Sequence, residues 1–442
     1  MSAVRVSETC SSNRLDAEYY QPHYRELLNR LILANAIPVQ EFAYVTDGIH
    51  GSPDWADEDG VAYLLAKCVK ENHLVLTEAG QISHEQHTSD PRTQAHLNDV
   101  LLTCIGTIGA AAVVSQEVLP ASVDRNLGII RIREDRVDPY YLATFFNCAY
   151  GRFQTSREAT GNVQPALFIE KMKTLLVPYG DRFNEVGKKT RQAYQKYRES
   201  ENLYAQAQAL LAAELGLDKL DLSESLFSVR RVSEVVEAGR ADAEYFQPKY
   251  DRIMAALERS GWCIGDVATL AKRRFEPQLS QPFNYIEIND LSGEGYAESQ
   301  IIHGEDAPSR AQWIVFTGDV ITSTVRPIRR LSAVVEREQR GSVCSSGFAV
   351  LQPKSVEPEL LLLYLRLPIV CEILDLYTTA SMYPAISTID LLGIPITLPQ
   401  SDAVRKELVD KVQDSRQARR VAKRLLAEAK AEVERIIGEG NT

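Results

Sequence analysis

A ten-residue motif near the start of the chain occurs again in its middle, and this repeat constrains the fold more than any other feature. LDAEYYQPHY at residues 15–24 returns as ADAEYFQPKY at residues 241–250, 226 positions later. We refer to both copies as the DAEY motif. Solenoid and propeller repeats have periods of roughly 20–50 residues, so this much longer period indicates duplicated domains. The 442 residues of the chain also exceed one ordinary domain.

The duplication continues beyond the motif. Apolar residues at helical spacing follow each copy, and Pro22 and Pro248 stand where a helix would begin, a position at which proline loses no hydrogen bond. The segments 98–114 and 318–335 each predict a strand, a loop and a second strand. Further matching segments are 126–146 with 345–365, and 161–178 with 381–399. Each half is therefore predicted to contain a mixed α/β domain.

Each half ends in a charged, alanine-rich segment with heptad spacing. The positions seven residues apart are Phe183, Thr190, Tyr197, Tyr204 and Leu211, then Leu408, Ser415, Ala422, Ala429 and Ile436; Val186, Ala193, Ala207, Ala418 and Leu425 lie between them. This pattern predicts two long helices that pack along a seam. A helix of about 30 residues is about 45 Å long. The small seam residues would let the two helices approach closely, in an antiparallel arrangement.

The composition argues against several classes of protein. No run of 18 apolar residues exists, so no membrane span is expected, and the N-terminal segment lacks the apolar core of a secretory signal. The seven cysteines stand singly, which favours reduced thiols in the cytoplasm over disulfides or a zinc site. The formal net charge of −11 is unusual for a protein that binds nucleic acid. Binding to DNA would therefore require locally concentrated positive charge.

Together these patterns predict an α/β (α+β) fold with an internal pseudo-two-fold repeat. Two mixed α/β heads would be joined by two long antiparallel coiled-coil helices. The predicted segments are a first head at 1–180, a central long helix at 181–217, a connector and second head at 218–400, and a C-terminal long helix at 401–442.

This doubled arrangement resembles the specificity subunit of type I restriction-modification systems over nearly the whole chain. The resemblance rests on the DAEY motif, the matched segments DVLLTCIGTIGAAAVV and DVITSTVRPIRRLSAVV, the SSGFAVLQP strand and the two heptad helices. In that family each head is a target recognition domain that recognises one half of a split sequence in double-stranded DNA. The long helices set the distance between the half-sites.

The resemblance also implies partners and the absence of catalysis. Two modification (methyltransferase) subunits would dock on the long helices, and restriction (ATP-dependent translocase and nuclease) subunits would complete the complex. S-adenosylmethionine, ATP and Mg²⁺ would be bound by those subunits, and this chain would bind no cofactor or metal. The first head has IGTIGA where the second has VRPIRR, so the resemblance implies an asymmetric target with two different half-sites.

The strongest candidates for DNA contact lie in the second head. Arg326, Arg329 and Arg330 place three guanidinium groups within five residues, between two predicted strands. Arginine can form two hydrogen bonds with guanine O6 and N7, or hold a phosphate. The competing interpretation is a solvated surface loop. The other candidates in this head are Lys272, Arg273, Arg274, Ser345, Tyr377, Ser381 and Tyr383.

The first head offers fewer cations. Its candidates, taken from turns and from a polar loop, are Lys67, Lys70, Thr107, Arg125, Asn126, Arg152, Arg157, Asn162 and Gln164. Asn and Gln can recognise adenine, and Arg can recognise guanine or hold a phosphate. A structural or solvent-exposed role is the competing interpretation for each of them.

Two other functions compete with DNA recognition. A scaffold or adaptor of another defence complex with the same fold would suit the acidic net charge. An enzyme acting alone is opposed by the motifs, since there is no phosphate-binding loop and His84 and His87 have no third metal ligand nearby in sequence. Asp138-Pro139-Tyr140-Tyr141 lacks the second proline of an adenine-methyltransferase signature. Its acid-Pro pair, shared with Glu357-Pro358, predicts the N-cap and first residue of a helix.

Overall fold

The computed structural model describes residues 14–57, 59–133, 136–161, 164–291, 294–379 and 382–439. The chain divides into two compact units. The first comprises Met1–Arg198 with Arg419–Thr442, and the second comprises Glu199–Ala418. Each unit contains one head and a part of each long helix.

Helices and strands alternate in both units. In chain order the α-helices are α1 Pro22–Leu33, α2 Val39–Phe42, α3 His84–Ser89, α4 Pro139–Asn147, α5 Ala149–Glu158, α6 Ile169–Lys173, α7 Asp181–Glu214, α8 Val232–Ala238, α9 Pro248–Leu257, α10 Ile264–Val267, α11 Pro358–Leu365, α12 Pro368–Leu376, α13 Thr388–Gly393 and α14 Asp402–Glu439. The strands are β1 Ile37–Pro38, β2 Ala43–Asp47, β3 Val61–Leu64, β4 Val69–Lys70, β5 His73–Leu74, β6 Gly80–Ile82, β7 Val100–Thr103, β8 Ala111–Val113, β9 Ala121–Val123, β10 Leu127–Ile132, β11 Leu176–Val177, β12 Ala268–Leu270, β13 Pro282–Ile286, β14 Gln300–His303, β15 Ala311–Ile314, β16 Val320–Ser323, β17 Ser332–Val334, β18 Val343–Ser345 and β19 Phe348–Pro353.

The two heads share one sheet arrangement. The first head has an antiparallel sheet in the order β2-β10-β7-β8, and the second head repeats it as β12-β19-β16-β17. A second sheet has the order β6-β3-β9 in the first head and β14-β13-β18-β15 in the second. Its central strand pairs in parallel with β9 or β18 and antiparallel with β6 or β14. The predicted duplication is therefore confirmed at the level of strand order.

Several helices begin at residues that favour a helix N-terminus. Pro22 and Pro248 occupy the first turn of α1 and α9, as predicted. The Asp138 carboxylate caps α4 by accepting from two backbone N–H groups of the first turn, at 2.8 and 3.1 Å. Glu357 is the N-cap residue of α11 and Pro358 occupies its first turn, as predicted, but within the described residues the Glu357 side chain makes no cap hydrogen bond. Aspartate is among the preferred N-cap residues, and glutamate is not.

The heptad positions form the buried faces of the long helices. Every predicted position of α7 is buried, and in α14 the buried positions are Leu408, Ser415, Ala418, Ala422, Ala429 and Ile436. Leu425 is the exception, because it is only partly buried and its neighbour Leu426 is buried instead. A straight α-helix drifts relative to a strict seven-residue repeat, so the buried residue can be the neighbour of the predicted heptad position.

Within each unit the segments of α7 and α14 run antiparallel, as predicted. In the first unit, Arg182 pairs with Glu439 at 2.8 Å and Lys189 pairs with Glu432 at 2.6 Å. In the second unit, Ser200 Oγ lies 3.1 Å from Ser415 Oγ, and Lys411 Nζ donates to Gln206 Oε1 at 3.1 Å. Rising residue numbers in α7 thus face falling numbers in α14.

The long helices also complete the core of each head. In the first unit, Val186, Val433 and Ile436 belong to the same apolar cluster as the residues of α4 and the antiparallel sheet. In the second unit, Leu211 and Leu408 pack with α11 in the corresponding cluster.

A larger side chain in the helix seam should destabilise the fold. Ser415 is fully buried, and its Oγ donates to Ser200 O at 2.7 Å. We expect Ser415→Leu to lower the free energy of unfolding by about 1–3 kcal/mol, because overpacking strains a filled interior. Urea unfolding measures this change. Asp414→Leu, at the neighbouring exposed position, is the control and should change the value by no more than about 0.5 kcal/mol.

Candidate nucleic-acid interface

Two loops that are distant in sequence lie side by side in each head. In the second head, Val325 of the β16–β17 loop forms an isolated β-bridge with Ala385 of the α12–α13 loop. In the first head, Ile105 of the β7–β8 loop forms the equivalent bridge with Ala166 of the α5–α6 loop. These bridges bring together predicted contact residues that the sequence separates by more than 50 positions. Each head therefore presents one surface made of two loops.

Arg326 joins the two loops of the second head. Its backbone N–H donates to Pro384 O at 2.8 Å, and its guanidinium donates to Met382 O at 3.2 Å. The guanidinium also lies 5.7 Å from the ring centroid of Tyr383, which is 69% exposed. Arg326 and Arg329 are both exposed. Arg326 and Tyr383 thus lie together on the outer surface of the loops, and Arg329 is exposed three residues further along the β16–β17 loop.

Arg330 points away from that surface. Its guanidinium donates to Arg366 O and to Gln208 Oε1, both at 2.9 Å. Burial, and then the neighbouring Arg366, lower the pKa of Arg330. The side chain is therefore bonded within the fold, in contrast to the exposed position that the sequence suggests. Its predicted contact with DNA stays a prediction.

The Lys272-Arg273-Arg274 stretch likewise contains both a cation that is bonded within the fold and cations that are exposed to solvent. Arg273 Nε donates to Ile314 O at 3.1 Å, its guanidinium is 4.5 Å from the ring centroid of Phe316, and it forms an ion pair with the buried Asp319. Lys272 and Arg274 are exposed. The middle residue of the stretch is therefore structural, and the two outer cations face solvent.

Most candidates of the first head are exposed. Lys67 forms a surface ion pair with Glu78 at 3.6 Å. The other exposed candidates are Lys70, Thr107, Arg125 and Gln164. Asn126 is partly buried, and its backbone N–H donates to Asp124 Oδ1 at 2.9 Å.

Both arginines of α5 are bonded within the protein. Arg152 donates to Ile108 O at 3.0 Å and to Glu71 Oε1 at 3.1 Å. Arg157 donates to Tyr19 O at 3.0 Å and lies 3.6 Å from the ring centroid of the same tyrosine. These contacts give Arg152 a structural role beside the β7–β8 loop and Arg157 one beside the DAEY motif. The structural interpretation accounts for both.

The remaining candidates do not join the loop surface. Ser345 is 1% exposed, so its hydroxyl cannot reach a bound duplex in this conformation. Tyr377 packs edge-on against Tyr245 of the DAEY motif, with ring centroids 6.2 Å apart, and burial raises its pKa to about 12. Asn162 and Ser381 lie outside the described residues.

An arginine just before each DAEY motif is not among the residues predicted from the sequence. Arg14 forms two hydrogen bonds with Asp16, at 2.6 and 2.7 Å, and Arg240 forms two with Asp242, at 2.8 and 2.9 Å. Each guanidinium also lies over the first aromatic ring of its motif, at 4.9 and 4.5 Å from the ring centroid. Both arginines stand at the same offset in the two copies, and this identity was a usable signal. Their bonds, like the aromatic pairs of the motif, are contacts within each head.

His84 and His87, which the sequence offers as a pair of possible metal ligands, contact other residues of the first head. Within the residues that the structure describes, no three His, Cys, Asp or Glu side chains gather in a way that could hold a metal ion. His84 Nε2 is 2.8 Å from Asp59 O, and His87 Nδ1 is 2.8 Å from Ser122 Oγ. None of the described helices combines the length and apolar character needed to cross a membrane.

The chain is similar to known specificity subunits. No family model matches it. It is 22% identical over 151 residues to the specificity subunit of the type I restriction enzyme HindI from Haemophilus influenzae, a match that spans 33% of each chain. This match confirms the resemblance that the repeated segments indicate, although it spans only about a third of that relative's length.

Two solved structures are also similar to this chain, both with low TM-scores. The type I restriction-modification S subunit from M. genitalium is 9% identical, with a TM-score of 0.40, over 91% of this chain and 94% of that one. The HsdS subunit from Thermoanaerobacter tengcongensis is 16% identical, with a TM-score of 0.29, over 90% and 95% of the two chains. Both scores are below 0.5.

The DAEY motif should matter for stability and not for the choice of target. Tyr20 and Phe246 are at most 9% exposed, so Tyr20→Ala and Phe246→Ala remove buried aromatic rings. We expect each to lower the free energy of unfolding by about 3–5 kcal/mol, or to weaken assembly with partner subunits. Denaturation and co-purification measure these effects. The preferred DNA sequence should stay unchanged, and an altered target would contradict this role.

Proposed function

We propose that this chain is the DNA-recognition subunit of a type I restriction-modification complex, and that each head recognises one half of an asymmetric split target. One observation carries the proposal. The two heads share a sheet arrangement and a pair of bridged loops, while the loops themselves differ in chemistry. A duplicated scaffold with divergent loops suits two half-sites of different sequence.

The second head would contact DNA mainly through arginine. Arg326 and Arg329 are exposed and can each hold a phosphate or form paired hydrogen bonds with guanine. Lys272 and Arg274 add positive charge in the same head. These local cations supply the attraction to phosphate that the net charge of −11 does not provide.

The first head would recognise its half-site with fewer charges. Thr107 and Gln164 are exposed on the two bridged loops, and Lys67, Lys70 and Arg125 are exposed cations elsewhere in the head. A glutamine can pair with adenine through two hydrogen bonds. We therefore assign base contact first to Gln164 and phosphate contact to the cations.

The long helices would serve the assembly. In this proposal α7 and α14 dock two modification subunits and set the length of the unrecognised spacer. The modification subunits would supply S-adenosylmethionine and methyl transfer, and restriction subunits would supply ATP-driven translocation and cleavage with Mg²⁺. This chain performs no catalysis in the proposal, and it acts on DNA in the cytoplasm.

A protein-binding adaptor is the second candidate function. The acidic net charge favours it. The exposed side chains of Arg326, which lies beside Tyr383, and of Arg329 favour DNA instead. Measurements of DNA binding separate the two functions.

Removal of the two exposed arginines should weaken DNA binding and its salt dependence. For Arg326→Ala with Arg329→Ala we expect the affinity for the target duplex to fall at least about tenfold, because each bidentate contact contributes roughly 1–3 kcal/mol. If both side chains contact phosphates, the slope of log K against log salt should fall by about 0.9 for each. Fluorescence anisotropy of the assembled complex at several NaCl concentrations measures both quantities.

The control removes two charges from the long helices. Lys188 and Lys406 are 64% and 76% exposed on α7 and α14. Lys188→Ala with Lys406→Ala should leave affinity and slope nearly unchanged. Equal losses in the two double variants would contradict the assigned contacts.

A methylome provides the direct test of the function. We expect host DNA to carry N6-methyladenine at a split, asymmetric motif, because the resemblance places methyl transfer in the modification subunits. Deletion of the gene should abolish methylation at that motif, and re-expression should restore it. Long-read sequencing of native DNA from the three strains measures this. Identical methylomes would refute the proposed function.

A further inference from the structure

The β16–β17 loop adopts a backbone conformation that needs support. Arg326 has a φ of 49° and Arg330 a φ of 59°, both in the left-handed region that residues with a Cβ atom rarely adopt. Such residues persist where surrounding contacts determine their conformation. The contacts that hold Arg326 come from the α12–α13 loop, whereas those that hold Arg330 come from α7 and from the turn between α11 and α12.

The support of Arg330 is a closed set of hydrogen bonds, which we call the second-head anchor. It consists of Tyr204, Gln208, Arg330 and Arg366. The Arg330 side chain donates to Arg366 O, and the Arg366 side chain donates back to Arg330 O. Gln208 of α7 accepts from Arg330 at 2.9 Å and donates to Arg366 O at 3.1 Å. Arg366 Nε donates to Tyr204 Oη at 2.7 Å, again on α7.

The anchor binds two guanidinium groups through neutral oxygens. Arg366 is 1% exposed, and its acceptors in the described structure are the Tyr204 hydroxyl and the backbone oxygens of Arg330 and Ser332. A buried cation is costly unless its hydrogen bonds are satisfied. Loss of one acceptor should therefore disturb the whole set, including the backbone of the loop.

The β7–β8 loop of the first head is supported by a different set, which we call the first-head anchor. It consists of Glu71, Asn147, Arg152 and Lys430. Arg152 donates to Ile108 O in the loop and forms an ion pair with Glu71 at 3.1 Å. Glu71 in turn pairs with Lys430 of α14 at 2.6 Å. This chain of charges connects the loop to the C-terminal long helix.

Corresponding residues occupy the same place in both anchors. Asn147 is the last residue of α4, and Arg366 directly follows α11. Their numbers differ by 219, the same spacing that separates the matched segments 126–146 and 345–365. Asn147 Oδ1 accepts from Ala111 N at 3.1 Å, and its Nδ2 donates to Ala111 O at 2.8 Å. Each side chain thus bonds the backbone at the end of its loop.

We propose that the two anchors are positioning devices, each of which ties one DNA-recognition loop to a long helix and thereby sets the base discrimination of its own half-site. This inference rests on the proposed function. The anchor residues act through the loops and need not touch DNA. The first anchor works through exposed and half-exposed ion pairs, and the second works through hydrogen bonds to neutral groups.

The test measures discrimination at each half-site separately. The chain is assembled with its modification subunits and used to methylate duplexes in which single bases of either half-site are randomised. Lys430→Met should reduce discrimination about threefold at one half-site only, because it removes an ion pair and keeps the aliphatic chain. Gln208→Met should reduce it at the other half-site only. Lys430→Arg should restore the wild-type value.

Variants of two exposed residues on α7 serve as controls. Lys188 forms an i, i+3 ion pair with Glu185 on α7, and Gln206 is an exposed glutamine two positions before Gln208. Lys188→Met and Gln206→Met should leave both half-sites unchanged. Unchanged discrimination in the anchor variants, or equal loss at both half-sites, would overturn the proposal.

The wild-type complex supplies a test that does not depend on the folding of a variant. Salt screens partly exposed ion pairs and affects hydrogen bonds to neutral oxygens much less. Rising NaCl concentration should therefore reduce discrimination more at the half-site of the first head. The Lys430 variant shows which half-site that is. If that variant does not fold, exchange of the second-head loops shows it instead. An equal response at the two half-sites would overturn the proposal. Absence of methylation at any split motif in the wild-type complex would instead refute the proposed function.

Discussion

Both heads depend on the burial of one face of each long helix. Neither head closes its core alone, because Val186 and Val433 complete the apolar cluster of the first and Leu211 completes that of the second. Small residues such as Ser415 and Ala422 keep the seam narrow. The same helices carry Lys430 and Gln208, which bond toward the loops. Core packing and loop position therefore depend on the same two elements.

The distribution of positive charge explains how an acidic chain can offer a DNA-binding surface. Net charge averages over the whole surface, whereas phosphate contact needs only a few exposed cations in one place. Arg326 and Arg329 are such a pair. Other arginines of the heads are bonded within the fold, as Arg273 is to Asp319 and Arg157 is to Tyr19. These inward arginines shape the heads, whereas Arg326 and Arg329 are exposed to solvent, where a ligand can reach them.

The elements were largely predictable, and the orientation of the side chains was not. Periodicity, proline and the repeat located the strand-loop-strand segments and the seam, since these depend on residues close in sequence. Leu425 was misplaced by one position because a real helix drifts from the heptad. Arg330 was predicted as exposed, yet its acceptors come from α7 and from Arg366, far away in the chain. No local sequence pattern predicts such hydrogen-bond partners.

Sequence alone predicts the duplicated architecture, the helix seam, and the two loops whose chemistry differs between the heads. These follow from the spacing of apolar residues and from the repeat, which are properties of neighbouring positions. Folding determined which loops lie together, as the bridges of Ala166 and Ala385 show. It also decided which arginines face solvent. The physical reason is that a guanidinium turns toward whatever acceptors the folded chain brings near it, and only folding places Gln208 beside Arg330.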